Sequence, residues 1–61
     1  MEHLPMTDPA MLMSAINFLL RDEIYEDLDQ ICEAFKVKRE DVEKKLAEAG
    51  LEYNEELKKV W

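Results

Sequence analysis

Three polar residues in the first half of the chain, Ser14, Asn17 and Arg21, have types and spacing suited to binding chemistry. Spacings of three and four residues place them on one side of a helix. An arginine there could hold a carboxylate or a phosphate through two parallel hydrogen bonds. The same strip could also be the solvated face of a buried helix. We therefore treat the three residues as a candidate interaction ridge, with a plain solvated face as the alternative.

Residue types that support catalysis or metal binding are scarce. His3, Cys32 and Gly50 are the only histidine, cysteine and glycine of the chain. A zinc site needs about four Cys or His ligands, and a phosphate-cradling loop needs several glycines. Cys32 falls on an apolar helix face, which favours a small buried hydrophobe over a reactive thiol. The sequence predicts a protein without enzymatic activity, cofactor or metal.

Charge limits the classes of partner. The formal net charge is −7, and acids are concentrated in the segment 22–29, which lacks the glycine and terminal glutamate of a calcium loop. A basic rim of four residues could contact phosphates: Lys36, Lys38, Arg39 and Lys45. The outward face of the helix predicted at about 39–49 consists of three acids, one base and an alanine: Glu40, Asp41, Glu48, Lys44 and Ala47. A phosphate-lined groove would repel that face, so nucleic acid is a disfavoured partner.

Length and composition predict one small helical domain over residues 1–61. Nearly half of the residues are apolar, and the chain has one glycine and two prolines. The single cysteine allows no internal disulfide, and the N-terminus lacks the pattern of a signal peptide. The longest nearly uncharged stretch, residues 9–20, is too short to cross a bilayer. We expect a cytoplasmic protein with no membrane contact.

The first predicted helix spans about residues 9–24. Asp8 is the expected cap and Pro9 the first helical residue. The apolar arc of this helix covers roughly 220°, far more than the 100° stripe of a surface helix. The helix should therefore be either sandwiched within the domain or shared with a second subunit.

The second half has the apolar spacing of a helix-turn-helix. Helices are predicted at about 27–35, with Asp27 as the favoured cap, and at about 39–49, where Gly50 provides a left-handed stop. Lys36 and Lys38 are unfavourable turn residues, since glycine or asparagine suits the first position and a short polar cap the second. Residues 51–61 could form a β-hairpin or a short helix. The predicted fold class is mainly α: a three-helix domain with a helix-turn-helix-like second half and a C-terminal β-hairpin or short helix.

The chain resembles a bacterial family of about sixty residues, the domain of unknown function numbered 4250. The matching residues span nearly the whole chain: Leu4-Pro5, Asp8-Pro9, Met11-Leu12, Ser14, Asn17, Leu20-Arg21-Asp22, Leu28, Cys32, Leu46, Gly50 and Tyr53. Lys58 and Val60 stand where the family-like ending has an asparagine and an aromatic residue, and the turn lysines also depart from the pattern. The resemblance implies a small bacterial cytoplasmic protein and brings no activity with it.

The function that follows is a non-catalytic protein-interaction module of unknown partner. The over-wide apolar arc of the first helix favours self-association, as a homodimer, through that helix. The alternative is a helix-turn-helix-like regulator that binds nucleic acid.

Overall fold

The computed structural model describes residues 3–61, in which three helices precede a two-stranded hairpin. The helices are α1 (Pro9–Arg21), α2 (Leu28–Phe35) and α3 (Arg39–Ala47); the strands are β1 (Tyr53–Asn54) and β2 (Lys59–Val60). The predicted class is confirmed, and residues 51–61 take the hairpin alternative. The predicted domain began at residue 1, and residues 1 and 2 lie outside the described part.

Side-chain caps begin the first two helices at the predicted residues. The Asp8 carboxylate accepts hydrogen bonds from the backbone N–H groups of Ala10 and Met11. The Asp27 carboxylate accepts from the N–H of Gln30, whose own side chain accepts from the N–H of Glu26. This arrangement is a variant of the capping box. Lys38, in contrast, offers α3 no side-chain cap.

Left-handed residues end all three helices. Glu23, Lys36 and Gly50 have φ angles of 59°, 57° and 72°. After each helix the next N–H reaches back five residues, as from Ile24 to the carbonyl of Leu19, which is the Schellman pattern. The prediction for Gly50 is confirmed.

Two predicted helix ends were wrong. The first helix stops at Arg21 instead of residue 24, because Glu23 adopts the left-handed conformation without being glycine. The third stops at Ala47 instead of residue 49, because residues 48–50 form a turn. Ala49 lies in this turn and is exposed.

The hairpin is antiparallel, with Tyr53 opposite Val60 and Asn54 opposite Lys59. The backbones of Glu52 and Trp61 exchange two further hydrogen bonds of 3.1 Å. Within the turn, the Asn54 carboxamide oxygen accepts from the N–H of Leu57, and Lys58 takes a positive φ of 52°. The Asn54 hydrogen bond and the left-handed backbone of Lys58 thus close a turn that contains no glycine.

The core lies where α1 meets α2, α3 and β2. Its buried members come from every helix, from β2 and from the lead-in before α1: Leu4, Leu12, Ala15, Ile16, Leu19, Leu20, Leu28, Ile31, Cys32, Val42, Leu46 and Val60. The buried position of Cys32 confirms its interpretation as a small hydrophobe. One face of α1 is therefore sandwiched within the domain, while the remainder of its wide apolar arc faces solvent.

Candidate interaction surface

Five residues form an exposed strip along α1: Ala10, Met11, Ser14, Phe18 and Arg21. Met11 is 59% exposed and Phe18 45% exposed, although both are large apolar residues. The spacing from Met11 to Ser14, Phe18 and Arg21 runs three, four, three, as in the contact seam of paired helices. Met11 and Phe18 are the residues of the predicted 220° arc that the domain leaves exposed.

Asn17 has a different role from its neighbours in the predicted ridge. Its carboxamide oxygen accepts from the N–H of Val60 at 2.6 Å, and its amide group donates to the carbonyl of Val60 at 2.9 Å. The side chain thereby pairs with β2 as a neighbouring strand would, across 43 positions of sequence. These bonds hold the hairpin against α1, and the role of Asn17 in a ridge for a partner stays a prediction.

A shallow apolar depression lies at the N-terminal end of the exposed strip. Its volume is about 520 Å³, and it is lined by Pro5, Ala10, Met11, Ser14, Ala15 and Phe18. Its lining combines small side chains, such as those of Ala10 and Ser14, with the larger Met11 and Phe18. Phe18 forms the C-terminal wall of the depression and is 45% exposed. The same face thus carries both a projection and a hollow.

A second groove, of about 640 Å³, runs between α1 and the hairpin. Arg21, Lys58 and Lys59 line it beside Phe18 and Leu57. All three cations already have contacts. Arg21 lies 3.4 Å from a carboxylate oxygen of Asp22 and 5.8 Å from the Phe18 ring centroid; Lys58 donates to the carbonyl of Glu26, and Lys59 lies over the Trp61 ring. Ser14 and Arg21 are thus brought together at the margin of an apolar surface with positive charge at one end.

Two of the four cations of the predicted basic rim, Arg39 and Lys45, form ion pairs within the domain. The Arg39 guanidinium lies 3.0 Å from Asp29, 2.7 Å from Glu43 and 3.9 Å from Glu55. Hydrogen bonds to Asp29 and Glu43 raise the pKa of Arg39 above its usual range, and the guanidinium also stacks 5.3 Å from the Tyr53 ring centroid. Lys45 pairs with Glu48 at 3.2 Å. Two of the four rim cations therefore already have carboxylate partners within the chain.

Lys36 and Lys38, the other two rim residues, are exposed. Lys36 occupies the left-handed position that ends α2, and Lys38 precedes the first residue of α3. The outward face of α3 is exposed as the sequence predicts, with Glu40, Asp41 and Glu48 beside Lys44. These contacts leave a mainly acidic surface where a DNA-reading helix would need a basic one.

The candidate reactive groups lie in unrelated environments. Burial, followed by the carboxylate of Asp29, raises the pKa of the Cys32 thiol, which favours the neutral form. His3 is exposed near the N-terminus. Within residues 3–61, no cluster of three His, Cys, Asp or Glu side chains is arranged to hold a metal ion. Among those same residues no helix has the length and apolar content needed to cross a membrane.

Sequence reasoning missed the residues that the hairpin contributes. Residues 51–61 had two predicted conformations, a hairpin and a short helix, so Lys58 and Lys59 had no predicted place beside α1. One signal for the groove existed, since Phe18 lies at the edge of the wide apolar arc of the first helix. No local signal identifies Val60 as the partner of Asn17.

The described residues define a small helical domain with a C-terminal hairpin and an exposed apolar strip on its first helix. Residues 6–60 match the model of a family described as a domain of unknown function, DUF4250, and the chain belongs to that family. The predicted resemblance is thereby confirmed. No curated protein and no solved structure matches the chain.

Proposed function

We propose that this protein is a small bacterial, cytoplasmic, non-catalytic interaction module that self-associates through the exposed strip of α1. The observation that carries the proposal is the exposure of Met11 and Phe18, at 59% and 45%, on the helix that also supplies much of the core. Burying both side chains against a second copy removes apolar area from water, which is the main driving force for association.

The size of the strip sets the expected affinity. With 13 residues, α1 is about 20 Å long, so a strip about 10 Å wide offers roughly 200 Å². A standard interface buries about 800 Å² on each partner, nearly a fifth of the 4300 Å² surface of this chain. The contact is therefore small, and we expect a weak equilibrium in the range of about 10 µM to 1 mM.

Sedimentation equilibrium over about 10 µM to 1 mM tests the proposal. Met11→Glu should weaken self-association at least about tenfold, because it places a charge where an apolar side chain is buried. Ile24→Glu is the matched control: it adds the same charge at a residue that is 53% exposed and lies outside the strip. A wild-type chain that remains monomeric throughout, or equal weakening by both variants, contradicts the proposal.

Salt dependence separates self-association from nucleic-acid binding, the alternative function. Two copies with a net charge of −7 repel each other, so added salt should strengthen apolar self-association by screening that repulsion. Binding to nucleic acid has the opposite dependence, because salt competes for phosphate contacts. Fluorescence anisotropy with labelled DNA and RNA at low salt measures the alternative directly. Because the face of α3 is acidic and the side chains of Arg39 and Lys45 are paired, we expect no binding of either nucleic acid.

A further inference from the structure

We infer that the second copy crosses α1 in antiparallel orientation about a two-fold axis beside Ser14, with each Phe18 seated in the partner's depression. The inference rests on the proposed function and specifies its geometry. The depression extends along α1 from Ala10 to Phe18, which forms its C-terminal wall, and these two residues lie about 12 Å apart along the helix axis. A two-fold axis midway between them, near residues 14 and 15, brings each projection onto the opposite hollow.

Two-fold pairing requires one face to be complementary to itself, and the exposed strip meets this requirement. Phe18 projects at one end, while the lining of the hollow toward the other end includes small side chains such as Ala10 and Ser14. Small residues at the crossing point allow two helices to approach closely. The hollow is also almost wholly apolar, with Ser14 its only residue that has a polar side chain.

Charge favours antiparallel over parallel crossing. Arg21 lies at the C-terminal end of α1, its side chain 76% exposed, and Asp8 is exposed at the N-terminal end. Antiparallel crossing places each guanidinium near the partner's Asp8 end and also opposes the two helix dipoles. Parallel crossing would place the two Arg21 side chains together. The groove lysines, Lys58 and Lys59, lie at the same end as Arg21 and increase the charge preference for antiparallel crossing.

Disulfide trapping with Ser14→Cys tests the position of the axis. Helices packed about 9–10 Å apart, each with Cα atoms about 2.3 Å from its axis, place facing Cα atoms about 4.4–5.4 Å apart, within the roughly 4.4–6.8 Å that a disulfide spans. With oxidised glutathione, the Ser14→Cys variant should form covalent dimers much faster than a Glu40→Cys variant, whose thiol lies on the exposed face of α3. Wild type, in which Cys32 is buried, gives the background rate.

Ala10→Leu tests the hollow itself. Leucine adds apolar surface to the exposed strip but fills the space that the partner's Phe18 would occupy. Seating of Phe18 therefore predicts at least about fivefold weaker self-association, as overpacking does elsewhere. If the strip associates through apolar contact without seating Phe18, the added leucine surface should strengthen self-association instead. Far-UV circular dichroism establishes that each variant keeps the wild-type helical content.

The outcomes separate the geometry from the function. Preferential trapping of Ser14→Cys together with weakening by Ala10→Leu supports the crossing. If wild type self-associates but Ser14→Cys is trapped no faster than Glu40→Cys, or Ala10→Leu associates more tightly, the crossing is overturned while the proposed function stands. A wild-type chain that remains monomeric at about 1 mM overturns both.

Discussion

Replacing Asn17 with alanine removes both hydrogen bonds that hold β2 against α1. Each is partly buried, at 2.6 Å and 2.9 Å, and each contributes about 1 kcal/mol net. The backbone N–H and carbonyl of Val60, whose residue is 1% exposed, then lose their partner, which adds about 1 kcal/mol of desolvation cost. Alanine's better helix propensity offsets about 0.5 kcal/mol. The free energy of unfolding should fall by about 2–3 kcal/mol, a large share of the roughly 3–9 kcal/mol typical of this chain length.

Urea unfolding followed by far-UV circular dichroism measures this loss. With an m-value of about 1 kcal/mol/M, the midpoint should move down by about 2 M. Ser14→Ala is the matched control, one turn away on an exposed position of the same helix, and should change stability by less than about 0.5 kcal/mol. Amide hydrogen exchange at Val60 should accelerate only in the Asn17→Ala variant. Equal losses in the two variants would refute the assignment of Asn17 as the attachment of the hairpin.

Three other predictions concern helix ends and the buried thiol. Lys36→Gly should raise the free energy of unfolding by about 0.5–1 kcal/mol, because glycine tolerates the left-handed φ of 57°; Lys36→Ala, which keeps a Cβ, should give no such gain in the same urea assay. Lys38→Ser should raise the free energy of unfolding by about 1 kcal/mol, because serine can cap α3, which has no side-chain cap. Lys38→Ala measures any part of this change that is due to the lost charge. Burial raises the pKa of Cys32 in the folded state, so its contribution to stability is present below about pH 9 and is lost as pH rises further, when the unfolded thiol ionises first. Between pH 8 and pH 10 the free energy of unfolding should fall less in Cys32→Ala than in wild type. An equal fall in both would contradict this role of the Cys32 thiol.

Local rules in the sequence were sufficient for helix starts and for the core. Asp8 and Asp27 precede apolar helical patterns and cap as expected. The spacing of Leu12, Ile16 and Leu19 identified the buried face of α1. These features depend on neighbours three or four residues apart, which a single sequence displays directly.

The errors arose where distant contacts or unusual conformations decide the outcome. Glu23 ends α1 in a conformation that its residue type does not suggest. Arg39 was placed in a rim that could contact phosphates, whereas Asp29 and Glu55, ten and sixteen positions away, converge on it. The choice between hairpin and helix at the C-terminus depends on a contact with Asn17, which lies 43 positions before Val60 in the sequence.

The carboxamide of Asn17 also governs how this protein meets other strands. A two-stranded hairpin has two open edges, each of which can recruit a strand from another molecule and so begin aggregation. At Val60 that edge is already occupied, since the side chain fills the donor and acceptor that an incoming strand would need. One amide group thus shields this edge from strand addition.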